Sequence, residues 1–148
     1  MFTVTKTMEV AGAHSLSLPY DSKCKNIHGH NWKISISISS PKLTEYGMVC
    51  DFCKEFAKIE EIIEKTFDHQ NINDVLSSQE MPDGVITKNP TAEVMSWLIF
   101  LLADEILHDN ECFISNDFIT QHNNFIEQCF VSKVEVQESE GNVACYTP

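Results

Sequence analysis

Hydrophobic and polar positions alternate most clearly between Asn31 and Ser40. There Trp32, Ile34, Ile36 and Ile38 interleave with Lys33, Ser35, Ser37 and Ser39. A period of two over eight residues predicts a strand with one buried face. Phe2 to His14 carries the same pattern more weakly: Val4, Met8 and Val10 fall at even positions, with Lys6 interrupting. Pro41 to Gly47 reads as a turn. From about Phe52 to Thr66 the period lengthens, and Phe52, Phe56, Ile59, Ile62 and Ile63 form the apolar stripe of a helix with acidic residues opposite. Asp51 stands where an N-cap carboxylate is favoured.

Asp68 to Lys88 is polar and turn-rich. Pro90 and Thr91 open a second, very apolar helix, about Ala92 to His108. Val131 to Gln137 reads as a third strand, with Val134 and Val136 on one side. A turn at Glu140, Gly141 and Asn142 leads to a short last strand, Val143 to Tyr146. The order β-β-α-α-β-β, with hairpin-like pairs at each end, predicts an α+β fold on an antiparallel sheet. Asp109 to Gln128 shows no clear pattern. With 148 residues and 43% hydrophobic content, a single domain over 1–148 with one core is expected.

Charge narrows the function classes. Ten basic residues, all lysine, face 22 acidic ones, for a net charge of −12. Nucleic-acid and polybasic membrane binding need a basic footprint, so neither is expected. The longest apolar run, Trp97 to Ala103, is too short to span a bilayer. No signal-like stretch opens the sequence, so a soluble, cytoplasmic protein is expected. Its six cysteines are then expected as free thiols.

Three histidines suggest a metal site. His28 and His30 flank one glycine, and two residues apart on an extended chain point the same way. His14 ends the preceding strand, and antiparallel pairing would bring it beside them. Three imidazoles with an open fourth position suit a catalytic zinc; two surface histidines at a turn are the plainer alternative. Gly29 would let the backbone turn between them. Cys24, four residues before His28, has three readings: a fourth zinc ligand, a thiolate base beside an open zinc, or a buried structural thiol. Asp68-His69 is either a carboxylate–imidazole pair or a helix-end turn. Cys50 and Cys53 form C-x-x-C at a helix start, yet no βαβ pattern surrounds them. Glu93, in the first turn of a helix, and Glu138, near a strand end, are by default solvated acids.

Taken together, these stretches resemble the family of 6-pyruvoyl- and 6-carboxy-tetrahydropterin synthases. The resemblance rests on A-G-A-H at His14, C-K-N-I-H-G-H-N-W from Cys24, G-M-V-C-D-F from Gly47, and F-D-H-Q-N-I-N-D from Phe67. It continues through N-P-T-A-E-V from Asn89 and V-E-V-Q-E-S from Val134. Three residues between Cys24 and H-G-H look like the bacterial 6-carboxy branch, which feeds 7-deazaguanine and queuosine synthesis. The resemblance implies the tunnelling fold: a four-stranded antiparallel sheet with two helices on one face, closed into a barrel by oligomerisation, usually as a hexamer of two trimers. It implies one Zn2+ per subunit on His14, His28 and His30, catalysis by Cys24, Asp68 and His69, and pterin anchoring by Glu138, with Thr91 and Glu93 also contacting the pterin. The implied substrate is 7,8-dihydroneopterin triphosphate. Alternatives are 6-pyruvoyl-tetrahydropterin synthesis by the same residues and, from another class, a non-catalytic zinc-stabilised module. A relative that makes a folate precursor typically carries Glu near the Cys24 position, but here no Glu lies between Glu9 and Glu45. The absence of arginine leaves lysines such as Lys23, Lys25 and Lys33, backbone N–H groups or a cation to hold the triphosphate.

Overall fold

A computed structural model describes residues 1–76, 78–108 and 129–148. Strand β1 (Phe2–His14) leads through a 3-10 turn (Lys23–Lys25) to β2 (His28–Ser40). Helix α1 (Glu55–Phe67), β3 (Gln70–Asn71) and α2 (Ile72–Val75) follow. Next come a small hairpin of β4 (Gln79–Glu80) and β5 (Ile86–Thr87), helix α3 (Ala92–His108), β6 (Phe130–Ser139) and β7 (Asn142–Tyr146).

The expected four antiparallel strands are present as β1-β2-β6-β7, but the sheet has five strands. β3 adds to the outer edge of β1 as a parallel strand. This strand, α2 and the β4–β5 hairpin all lie in the stretch read as polar turns. Elements of two to four residues are too short to carry a period, and tertiary pairing rather than pattern creates them. The stretch from Asp109 to Gln128, which showed no clear pattern, lies outside the described residues, and Cys112 with it.

β1 and β2 pair without a break from Phe2↔Ser40 to His14↔His28. Even-numbered positions therefore share one face. Val10, Trp32, Ile34, Ile36, Ile38, Val134 and Val136 on that face join Phe56, Ile59, Ile63 and Phe67 of α1 and Met95, Ile99 and Ala103 of α3 in one core. Burying each large side chain contributes roughly 1.5–3 kcal/mol. Lys6, the exception in the β1 pattern, points its ammonium at Glu60 on α1. The opposite face carries hydroxyl pairs at 2.8 Å: Thr3–Ser39, Thr5–Ser37 and Thr7–Ser35.

β2 begins at His28, earlier than the pattern from Asn31 suggested. α1 begins later than predicted. Asp51 does cap, its carboxylate accepting the Cys53 N–H at 2.7 Å, but it caps a turn that precedes the helix. Phe52 therefore lies outside α1 and stacks on Phe56 at 5.1 Å. Ile62, read as part of the stripe, is 38% exposed, whereas Ile63 is fully buried. At the other end of the core, the β6–β7 register slips between Gln137 and Ser139, so Glu138 is the extra residue of a bulge. Gly141, at φ +85°, supplies the left-handed turn between these strands. Among the described residues no helix is long and apolar enough to cross a membrane.

Two neighbouring isoleucines test this packing. Ile63→Ala should cost about 2–5 kcal/mol of stability, as for other buried truncations. Ile62→Ala should cost less than about 1 kcal/mol, as expected nearer the surface. Urea unfolding of the two variants measures the difference.

Candidate metal centre and its flanking clefts

The register that builds the core also assembles the site. His28 and His30 continue the buried stripe of β2 beyond Trp32, and His14 lies directly opposite His28. The three rings stand 4.6 to 5.2 Å apart, with Trp32 edge-on against two of them. Trp32 is itself held by its indole N–H, which donates to the Gly12 carbonyl at 3.1 Å. Gly12 is required by close packing, since a Cβ there would lie 3.0 Å from Ile72 Cδ1. Gly29 behaves otherwise than expected. It lies in β2 rather than a turn, and a Cβ would meet nothing nearer than 3.8 Å.

Backbone carbonyls orient two of the rings. His14 Nδ1–H donates to Pro90 O and His28 Nδ1–H to Asn26 O, each at 2.8 Å. The hydrogen bond on one ring nitrogen leaves a lone pair on the other, the usual outer-shell arrangement of a histidine ligand. His14 Nε2 and His30 Nε2 are buried without a hydrogen-bond partner. With His28 and Glu138 they form a group whose ligand atoms all lie within 4.8 Å of one another. Neutral imidazoles with a carboxylate are the donor set of a zinc site, so the residues fit that metal. His14 is completely buried. Burial drives its pKa below 6.5, the Pro90 carbonyl opposes this, and neighbouring His28 lowers it further.

The remaining predicted residues are placed around this group. Cys24 sits half-buried in the 3-10 turn, its N–H capped by Ser22 Oγ at 3.2 Å and its carbonyl accepting from Leu16 N–H at 2.7 Å. It stands outside the candidate donor group, whose fourth residue is Glu138. Asp68 and His69 do form a pair. His69 Nδ1–H donates to Asp68 Oδ2 at 2.7 Å, and Asp68 Oδ1 accepts the Ala11 N–H at 2.9 Å. These bonds, Ala11 first, hold the Asp68 carboxyl below its ordinary range. Adjacent residues can meet this way because His69 follows the end of α1 in the left-handed region, at φ 55°. Among the described residues it is the one non-glycine residue there. An open cleft of about 450 Å³ is lined by both His30 and His69. A second cleft, of about 430 Å³, is lined by Glu138, Thr91 and Glu93, together with Leu16 and β7 residues. Glu138 is thus shared between the donor group and this second cleft.

Burial counts against the dithiol reading at Cys50, whose thiol is pushed up to about 12 by desolvation and then by Glu55, Cys129 and Asp51, while Cys53 is exposed. What the sequence missed is Glu138 as a potential metal donor. The available signal was its even-numbered place after Val134 and Val136, on the face that carries the histidines.

Fold and site together define an α+β protein with a three-histidine, one-carboxylate donor centre at the end of its sheet. The profile of the 6-pyruvoyl tetrahydropterin synthase family matches residues 3–148, and the chain belongs to that family. Among its relatives, a 6-carboxy-5,6,7,8-tetrahydropterin synthase from Synechocystis is 28% identical over 109 residues, covering 71% of this chain and 77% of that protein. One of the same name from Haemophilus influenzae is 27% identical over 130 residues, covering 78% and 89%. A relative from Pyrococcus horikoshii reaches 40% identity over 80 residues, but the match spans only 54% of this chain and 47% of that protein. In fold, the chain is similar to the 6-pyruvoyl tetrahydropterin synthase of Caenorhabditis elegans, with a TM-score of 0.68 at 21% identity over 99% of this chain and 95% of that one.

Two measurements follow. His69→Gly should raise the unfolding free energy by about 1 kcal/mol by relieving the left-handed backbone, whereas His69→Ala should bring no such gain. Acid should weaken the metal-free protein through His14. The unfolded chain takes up this proton near pH 6.5 and the folded chain only at lower pH, so stability falls as pH drops through that window. Urea midpoints at pH 7.5 and 5.5 should differ more in the parent than in His14→Asn.

Proposed function

We propose that the chain is a zinc-dependent lyase that converts 7,8-dihydroneopterin triphosphate and water to 6-carboxy-5,6,7,8-tetrahydropterin, acetaldehyde and triphosphate, in 7-deazaguanine and queuosine synthesis. The observation that carries this reading is the convergence of His14, His28 and His30 on one point beside a cleft holding Glu138, Thr91 and Glu93. The names of the Synechocystis and Haemophilus relatives favour the 6-carboxy product over the 6-pyruvoyl one.

In this reading His14, His28 and His30 hold one zinc per subunit. When bound, the metal supplies Lewis acidity to side-chain hydroxyls of the substrate. Cys24, on the loop between two of the histidine positions, takes the proton from the side-chain carbon next to the ring. The Asp68–His69 pair carries the second proton, with Asp68 orienting the imidazole. The Glu138 carboxylate accepts hydrogen bonds from the pterin ring N–H and amine, and Thr91 and Glu93 line the same cleft. Triphosphate leaves by elimination and acetaldehyde by carbon–carbon cleavage.

A homohexamer of two trimers is part of the same proposal. Among the described residues the outer side of β7 is a free sheet edge, and closure between subunits would cover it. Cys24 and the Asp68–His69 pair are not members of the donor group within one chain, which is compatible with a site completed by association.

Incubation of the zinc-loaded protein with 7,8-dihydroneopterin triphosphate should release acetaldehyde in proportion to triphosphate. A 6-pyruvoyl product without acetaldehyde would replace this reading with its nearest alternative. Cys24→Ala should lose turnover by at least about a hundredfold, the scale of a general base, and keep its zinc. Loss of zinc with activity would favour the non-catalytic zinc-stabilised module instead.

A further inference from the structure

We propose that Glu138 is the fourth, displaceable ligand of the metal in the substrate-free protein. This rests on the zinc reading above and goes beyond it, because the family resemblance assigns Glu138 to the pterin alone.

Three observations converge. First, Glu138 Oε1 lies 3.2 Å from His14 Nε2 and 3.3 Å from His30 Nε2. For zinc bonds of about 2.0–2.1 Å, the edges of a ligand tetrahedron measure about 3.3–3.4 Å. Both separations of Glu138 Oε1 are those between adjacent vertices of such a tetrahedron.

Second, the His14 contact is not a hydrogen bond. His14 already donates from Nδ1 to Pro90 O, so its Nε2 presents a lone pair to a carboxylate oxygen that is also an acceptor. Neither His14 Nε2 nor His30 Nε2 has a hydrogen-bond partner. Acceptors facing each other at this distance repel unless a cation lies between them. A metal satisfies all the lone pairs at once.

Third, the backbone is shaped to aim this side chain. Glu138 is the extra residue where the β6–β7 register slips, and such bulges re-aim side chains. The same residue lines the cleft with Thr91 and Glu93, and its side chain is 28% exposed. Its carboxylate therefore has room to leave the metal toward the cleft, where an incoming ring with N–H donors would meet it. Three histidines and Glu138 close the resting site, and displacement of Glu138 frees the fourth position when a pterin arrives.

The test uses the full chain, stripped of metal and titrated with Zn2+ against a chromophoric chelator, and in parallel loaded with Co2+ for its visible spectrum. Glu138→Gln should weaken Zn2+ binding by about tenfold to a hundredfold or more, at least the loss typical of an outer-shell change. It should also alter the Co2+ bands. Glu93→Gln, in the same cleft but outside the donor group, should match the parent in both. Adding 7,8-dihydroneopterin to the Co2+ form should shift the parent spectrum and leave that of Glu138→Gln changed little. Parent-like Zn2+ affinity and Co2+ bands in a folded Glu138→Gln variant would overturn the proposal, as would a parent spectrum that stays constant while dihydroneopterin binds. A parent protein that binds neither metal would overturn the zinc reading as well. Tight metal binding through Glu138 without acetaldehyde release would leave the ligand standing and remove the proposed reaction.

Discussion

The unbroken pairing of β1 with β2 is the constraint on which the molecule depends. One register, from Phe2↔Ser40 to His14↔His28, decides which side chains enter the core and which histidines meet. A slip of one residue would turn Trp32, Ile34, Ile36 and Ile38 outward and separate His14 from His28 and His30. The site is therefore a continuation of the core, and the hydrophobic stripe that drives sheet formation also locks the donor geometry. Precision at the metal position comes from placing the ligands on strands and not on loops.

That arrangement carries an electrostatic cost in the absence of a cation. The His14 Nε2 lone pair faces a carboxylate oxygen, and His30 Nε2 is buried without a hydrogen-bond partner, in a setting where such polar groups are expensive. Burial disfavours a proton on His14, although Pro90 and Glu138 oppose this. His69 shows a second local compromise, a left-handed backbone at a position where glycine is usual after a helix. Both features fall at the residues proposed for chemistry, and the rest of the described core is ordinary close-packed aliphatic and aromatic material.

Much of the fold was legible because it is periodic. The alternation in β2, the paired valines of β6 and the apolar stripe of α1 each reflect burial on one face, and the structure keeps them. The H-x-H pair was legible for the same reason, since two residues apart on a strand share a face whatever the partner. Element ends were less so. Phe52 and Ile62 are as hydrophobic as their neighbours, but Ile62 lies at the rim of the packed face and Phe52 in the turn before α1.

By itself, then, the order of residues determined the strands, the long helices, the shared face of His28 and His30, and the family, because each is encoded in local pattern or motif. Tertiary structure decided what local pattern does not contain. The two-residue β3 exists only because β1 offers it an edge, and the Asp68–His69 bond only because the chain turns left-handed at His69. Glu138 lies more than a hundred positions along the chain from His14 and His30, and no sequence spacing relates them. They meet because β6 docks beside β2 and then bulges, so that a carboxylate read as a solvated acid comes to face two buried imidazoles.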